Sequence, residues 1–182
     1  MSLIKMGLIA YGENTSSSIP DIIQELKDSG LLSSYAYIYH DKDTDDKGEL
    51  KKPHYHIYLR FNVSTNQNAI AKKFGISTNL IQRISNVSGY LAYFVHEFDK
   101  DKFQYSLDNV VEWNCSVLDA IDLCYSNDIK ENRESEVIRA MIELLYQFKS
   151  LRKVMNWALE FNYWDIFRKN YTILKDLLYN NE

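Results

Sequence analysis

The sequence predicts an α+β protein: a ferredoxin-like (RRM-like) antiparallel sheet covered by helices, followed by a small all-α segment. Three observations predict it. Up to about residue 110, strand-length apolar or alternating runs interleave with helical periods in the order βαββαβα, joined by short connections. Beyond that point only helical spacing remains. The 182 residues are 46% hydrophobic, enough for one good core or two small ones.

Residues 3–11 (LIKMGLIAY) read as a buried strand that Gly12 and a polar loop end. Ser18 can cap a helix over 19–29, with Pro20 in its first turn and Gly30 closing it. Residues 34–40 (SYAYIYH) alternate and are rich in tyrosine, so they read as a strand. A charged loop, DKDTDDKGELKK, leads to a strand at 54–61 (HYHIYLRF). A helix near 66–73, a short strand near 79–84 and a helix over 88–97 follow. In the second half, Val137, Ile138, Met141, Leu144, Leu145 and Phe148 keep helical spacing, as do Leu151, Val154, Met155, Ala158 and Leu159. A last helix carries Phe167, Tyr171, Leu174 and Leu178, and the polar stretch 126–136 (SNDIKENRESE) reads as a loop or linker. These patterns place a domain boundary near residue 111: a unit of 1–110 and a helical bundle of 111–182.

The net charge of −4 and pI of about 5.6 exclude a polycationic nucleic-acid coat, so any DNA contact must be local. Cys115 and Cys124, read as lying on a helical stretch, form no metal or redox motif and suit a reduced compartment. The N-terminal apolar run is too short for a signal peptide and no segment has membrane-spanning length. A soluble, cytoplasmic chain is expected.

All four histidines fall in two windows. On a strand, residues i and i+2 share a face, so His54 and His56 aim their imidazoles together while Tyr55 and Ile57 face the core. One strand earlier, His40 ends its run and Asp43 follows in HDKD. If the two strands pair as a hairpin, three imidazoles and a carboxylate converge. Such a set would hold a divalent cation, and its mixed N/O character fits Mn²⁺ or Mg²⁺. A lone HxH is more often a pair of half-exposed strand residues; HDKD at a hairpin's distance is what raises the metal reading. The second window is SGYLAYFVHEF. There Tyr90, Tyr93, His96 and Glu97 share one helical stripe, an odd composition for a core.

HDKD, KKPHYHIYL and YFVH together resemble the HUH endonucleases, named for a His–hydrophobic–His pair, and most closely the rolling-circle replication initiators of small bacterial plasmids. The match covers residues 1 to about 107 in order and spacing. It implies the HUH nuclease fold, with His40, Asp43, His54 and His56 as metal ligands and Tyr93, which opens Tyr-x-x-His with His96, as the nucleophile. Tyr90, His96 and Glu97 are auxiliary candidates, although related viral initiators carry lysine where this chain has His96. The implied reaction is metal-dependent nicking and rejoining of single-stranded or hairpin origin DNA through a 5′-phosphotyrosine. Lys51, Lys52, Arg60, Lys72, Lys73 and Arg83 are the candidate phosphate contacts, and Tyr58 shares the histidine face and could stack on a base. The chain carries no GxxxxGK[ST] phosphate loop, so a host helicase and a DNA polymerase are the implied partners, with homo-oligomerisation or further DNA contacts assigned to the helical segment. Two rivals remain open: a mobilisation relaxase or single-tyrosine transposase with the same chemistry, and a non-catalytic, metal-stabilised nucleic-acid-binding module.

Overall fold

The computed structural model describes residues 2–12 and 17–179. Its elements run β1 (Ser2–Ala10), α1 (Ile19–Asp28), β2 (Leu32–His40), β3 (His54–Asn66), α2 (Gln67–Lys73), β4 (Ile81–Arg83), α3 (Val87–Ala92), β5 (Val111–Trp113), α4 (Val117–Phe148), α5 (Leu151–Glu160) and α6 (Trp164–Tyr179). The strands form one antiparallel sheet in the order β4-β1-β3-β2-β5. The first four strands have the ferredoxin-like order: β1 and β2 flank β3, α1 carries β1 across to β2, a hairpin joins β2 to β3, and α2 carries β3 across to β4.

Local chemistry sets the ends of these elements. Ser18 caps α1 by accepting a hydrogen bond from the Asp21 N–H, and Gly30 leaves the helix at φ 73°. Asn66 and Asn86 cap α2 and α3 in the same way. Period-2 alternation then sorts the sheet into two faces. Met6, Leu8 and Ala10 of β1, Tyr35 of β2 and Ile57, Leu59 and Phe61 of β3 pack under Ile19, Ile22, Ile23 and Leu26 of α1 and Ile70 and Ala71 of α2. On the other face, Ala36, Ile38 and Tyr58 pack under Leu91, Ala92, Phe94, Val95 and Tyr105 and the start of α4, Val117, Ala120 and Ile121. Each fully buried aliphatic or aromatic side chain stabilises the fold by roughly 1.5–3 kcal/mol relative to exposure. His40, His54 and His56 lie on this second face, at the end of β2 and the start of β3.

Four expectations need correction. Chain contacts divide the molecule after Cys124, not near residue 111. The reason is that β5 adds an edge strand beside β2, and Val117, Ala120 and Ile121 complete the second core. The stretch 126–136 is helical, part of α4, whose residues there are almost all exposed. A helix that is polar all round gives no periodic signal, so it reads as a loop. Cys115 precedes α4 and donates to the Tyr35 carbonyl; Cys124 lies within it. The fourth concerns the predicted helix over 88–97. It stops at Ala92, tightens into a 3-10 turn over Tyr93–Val95, and ends at His96 with φ 57°. His96 N–H bonds the Tyr93 carbonyl and Glu97 N–H the Ala92 carbonyl, which is the Schellman arrangement with histidine where glycine is usual.

Within residues 125–182, the core gathers Val137, Met141 and Leu145 of α4, Val154 and Ala158 of α5 and Phe167 and Leu174 of α6. No helix among the described residues is long and apolar enough to cross a membrane.

Candidate active site and metal centre

The antiparallel register makes His40 and His54 direct cross-strand partners and sets His56 opposite Ile38. Asp43 is fixed just beyond β2 by a small hairpin. Its carbonyl accepts from Lys51 N–H, Thr44 bridges Leu50, and Gly48 turns at φ 81°. One ligand atom from each of His40, Asp43, His54 and His56 then lies within 4.8 Å of all the others.

The hydrogen bonds around these rings decide where their lone pairs point. A ring nitrogen facing a carbonyl must carry the proton. His40 Nε2 faces the Phe94 carbonyl at 2.7 Å and His54 Nδ1 faces the Lys52 carbonyl at 2.9 Å. In the neutral form of each ring the opposite nitrogen, His40 Nδ1 or His54 Nε2, is then the acceptor. His40 Nδ1 faces Asp43 Oδ2 at 3.2 Å, and His54 Nε2 faces His56 Nε2 at 3.1 Å. With a neutral His40 ring, its Nδ1 and Asp43 Oδ2 face each other as two acceptors, an arrangement that a shared cation relieves. The donor set therefore fits a divalent metal, and the carbonyls are the outer groups that fix a metal-binding imidazole's orientation.

The electrostatics agree. Burial first, then the neighbouring imidazoles of His40 and His54, hold the His56 pKa down to about 3, so this ring is neutral at pH 7 and needs to lose no proton to bind metal. Burial likewise lowers His40. Burial alone would raise the Asp43 carboxyl, but the facing His40 and His96 rings and a hydrogen bond from Tyr105 bring it below its ordinary value. Tyr105, outside every sequence motif, stacks on His40 at 4.1 Å and 5°. Its hydroxyl accepts from Lys42 N–H at 2.8 Å and donates to Asp43 Oδ1 at 3.1 Å. Burial, with the nearby Asp43 charge, pushes its pKa up to about 12, which keeps it a donor.

The break at Ala92 separates the predicted stripe. Tyr93 sets its ring edge against His56 at 5.3 Å and against His96 at 4.9 Å. It shares a cleft of about 380 Å³ with Asp43, His54, His56, Lys51 and Lys52. Tyr90 instead lies over Gly7, where an added Cβ would come within 2.5 Å of the ring, and donates its hydroxyl to the Ile57 carbonyl at 3.2 Å. Burial raises its pKa well above the ordinary value. His96 is fully buried. Its Nδ1–H donates to the Phe103 carbonyl at 2.7 Å, while its Nε2 has no hydrogen-bond partner and lies 4.0 Å from Asp43 Oδ1. Glu97 pairs with Lys100 and is not grouped with the histidines.

The remaining candidates divide. Lys51 and Lys52 are exposed on the cleft, and Arg83 is exposed beside a second cleft of about 480 Å³ that Tyr93 and His56 also line. Arg60 is exposed farther along β3. Lys72 and Lys73 stand on α2, which covers the sheet face opposite the histidines, and Lys73 pairs with Glu25. Tyr58, only 2% exposed, packs in the core and presents no ring for a base.

Residues 6–119 match the profile of a family described as plasmid replication protein, origin binding domain. A "Replication protein" of Onion yellows phytoplasma (strain OY-M) is 36% identical over 109 residues, covering 53% of this chain and 28% of that protein. A "Replication protein" of Staphylococcus aureus is 27% identical over 166 residues, covering 87% of this chain and 77% of that protein. A "Replication protein RepB" of Lactiplantibacillus plantarum is 34% identical over 102 residues, covering 54% of this chain and 43% of that protein. The match thus spans less than a third of the phytoplasma protein's length. The matched region includes every residue of the histidine cluster and Tyr93.

Proposed function

This chain belongs to the plasmid replication proteins that share that origin-binding domain, and from this premise we propose that it initiates rolling-circle replication by nicking one strand of origin DNA with Tyr93. The observation that carries the reading is a tyrosine whose ring abuts His56 in the cleft that holds the His40, Asp43, His54 and His56 donor set.

A divalent cation on these four residues, Mn²⁺ or Mg²⁺, would neutralise charge on the scissile phosphate and orient it. The chain's own groups do the rest. Lys51 and Lys52 at the cleft present ammonium groups to flanking phosphates. Tyr93 Oη attacks phosphorus and passes its proton to solvent. The P–O3′ bond breaks, and its electron pair leaves on O3′, which takes a proton from water. The products are a 5′-phosphotyrosine and a free 3′-OH, from which a polymerase can extend; attack by a 3′-OH on the phosphotyrosine rejoins the strand. Tyr90 is a poor alternative nucleophile, because burial disfavours its phenolate and its hydroxyl is bound to a carbonyl. A helicase would open the nicked duplex, and residues 125–182 would serve assembly or further DNA contacts.

The test is to incubate the full chain and Mn²⁺ with labelled single-stranded oligonucleotides tiling the plasmid's origin, then run a denaturing gel. A covalent adduct with wild type, lost in Tyr93→Phe, is expected. Tight binding without any adduct would instead assign the chain to non-catalytic DNA binding.

A further inference from the structure

The reaction above leaves one charged group at the nucleophile without a role. Lys102 Nζ donates a hydrogen bond to Tyr93 Oη at 3.1 Å and stands 4.5 Å from the centre of the same ring. From its other side, Asp99 Oδ2 holds the ammonium at 3.0 Å, and the backbone closes a turn from Lys102 N–H to the Asp99 carbonyl. That turn is anchored at both ends. Asp99 N–H bonds the carbonyl of His96, and Phe103, next to Lys102, gives its carbonyl to the His96 ring. The left-handed conformation of His96 and its buried hydrogen bond thus deliver a lysine to the phenol from a segment outside the Tyr-x-x-His motif.

A half-exposed lysine beside an aspartate is ordinarily a weak surface ion pair. Here one ammonium meets the phenolic oxygen, the aromatic face and the anchoring carboxylate together. We infer that Lys102 is a catalytic residue: it holds the Tyr93 hydroxyl in place and meets the negative charge of the phosphate as that oxygen bonds to phosphorus. The inference rests on Tyr93 as nucleophile. In cleavage the new bond is Tyr93 Oη–P and the broken bond P–O3′. In rejoining, the pair leaves on Tyr93 Oη, and the Lys102 N–H is already directed at the departing phenolate. One cation at one oxygen stabilises the same transition state from both sides, so cleavage and rejoining should slow together.

The test uses the full chain, Mn²⁺ and a cleavable origin oligonucleotide. Lys102→Met, which keeps the length and removes the charge, should slow adduct formation at saturating DNA by about 10- to 100-fold. It should slow rejoining by the same factor and leave the Kd for Mn²⁺ and for DNA within about threefold of wild type. Lys102→Arg should recover most of the rate, and Asp99→Asn should lose part of it. A Lys102→Met protein that cuts at the wild-type rate overturns the inference while leaving Tyr93 as nucleophile. So does one that loses DNA affinity but not the saturated rate, since Lys102 would then serve only binding. No adduct from wild type, or an adduct on another residue, overturns the nicking reading and this inference with it.

Discussion

Lowering the pH from 7 to 5 with chelator present should destabilise the N-terminal unit by at least about 2 kcal/mol. In the unfolded chain the His56 imidazole titrates near 6.5, whereas in the fold its pKa is about 3. Over that interval the unfolded ring takes up most of a proton and the folded ring almost none. The unfolded state therefore binds more protons, and stability rises with pH: it is full above 6.5 and lost as the pH falls toward 3. Integrating from pH 7 to 5 gives about 2 kcal/mol for His56 alone. His40 is shifted in the same direction and adds to the loss. Asp43, held below its ordinary 3.8, contributes only at lower pH and does not confuse the window. Urea unfolding followed through resolved β3 amide signals at several pH values gives the slope. His56→Asn should flatten it, and saturating Mn²⁺ should raise stability at pH 7 and steepen the loss, because metal and protons compete for the same nitrogens. A metal-free wild type whose stability changes by less than about 0.5 kcal/mol across the window would refute the assignment of a buried, neutral His56.

Three further outcomes are expected. Calorimetric titration should show that His54→Ala and His56→Ala lose most Mn²⁺ affinity and Asp43→Ala less, since three imidazoles remain; Tyr105→Phe should cost about 10-fold by loosening Asp43. Tyr90→Phe should keep the covalent adduct, and mass spectrometry of the trapped peptide should place it on Tyr93. A fragment of residues 1–124 should fold, whereas 1–111 should melt at a clearly lower temperature or not fold. The shorter piece lacks Val117, Ala120 and Ile121 of the second core and most of β5, and buried apolar side chains of this size are worth roughly 1–3 kcal/mol each.

The amino-acid pattern alone determined whatever depends on near neighbours. His54 and His56 share a face because side chains alternate along a strand, and HDKD stands beside them because two strands and one loop form a hairpin. The ferredoxin-like arrangement of the first four strands followed from the interleaving of elements, since crossovers on a sheet have few allowed solutions, whereas β5, three residues long, gave no signal. Tertiary structure decided what depends on groups distant in sequence. The Phe94 carbonyl orients His40 across 54 positions, and Tyr105 reaches Asp43 across 62. No local period encodes either. The same holds for Tyr58, which alternation assigns to the histidine face but which α3, Phe94 and the start of α4 cover. Tyr90 and Tyr93 carry the same stripe signal. They part only because the helix breaks after Ala92 and the packing over Gly7 takes Tyr90 inward, leaving Tyr93 at the cleft. Periodicity reports which face a residue starts on; whether that face is then covered, and by which carbonyl or ring, is set by contacts the chain makes only once folded.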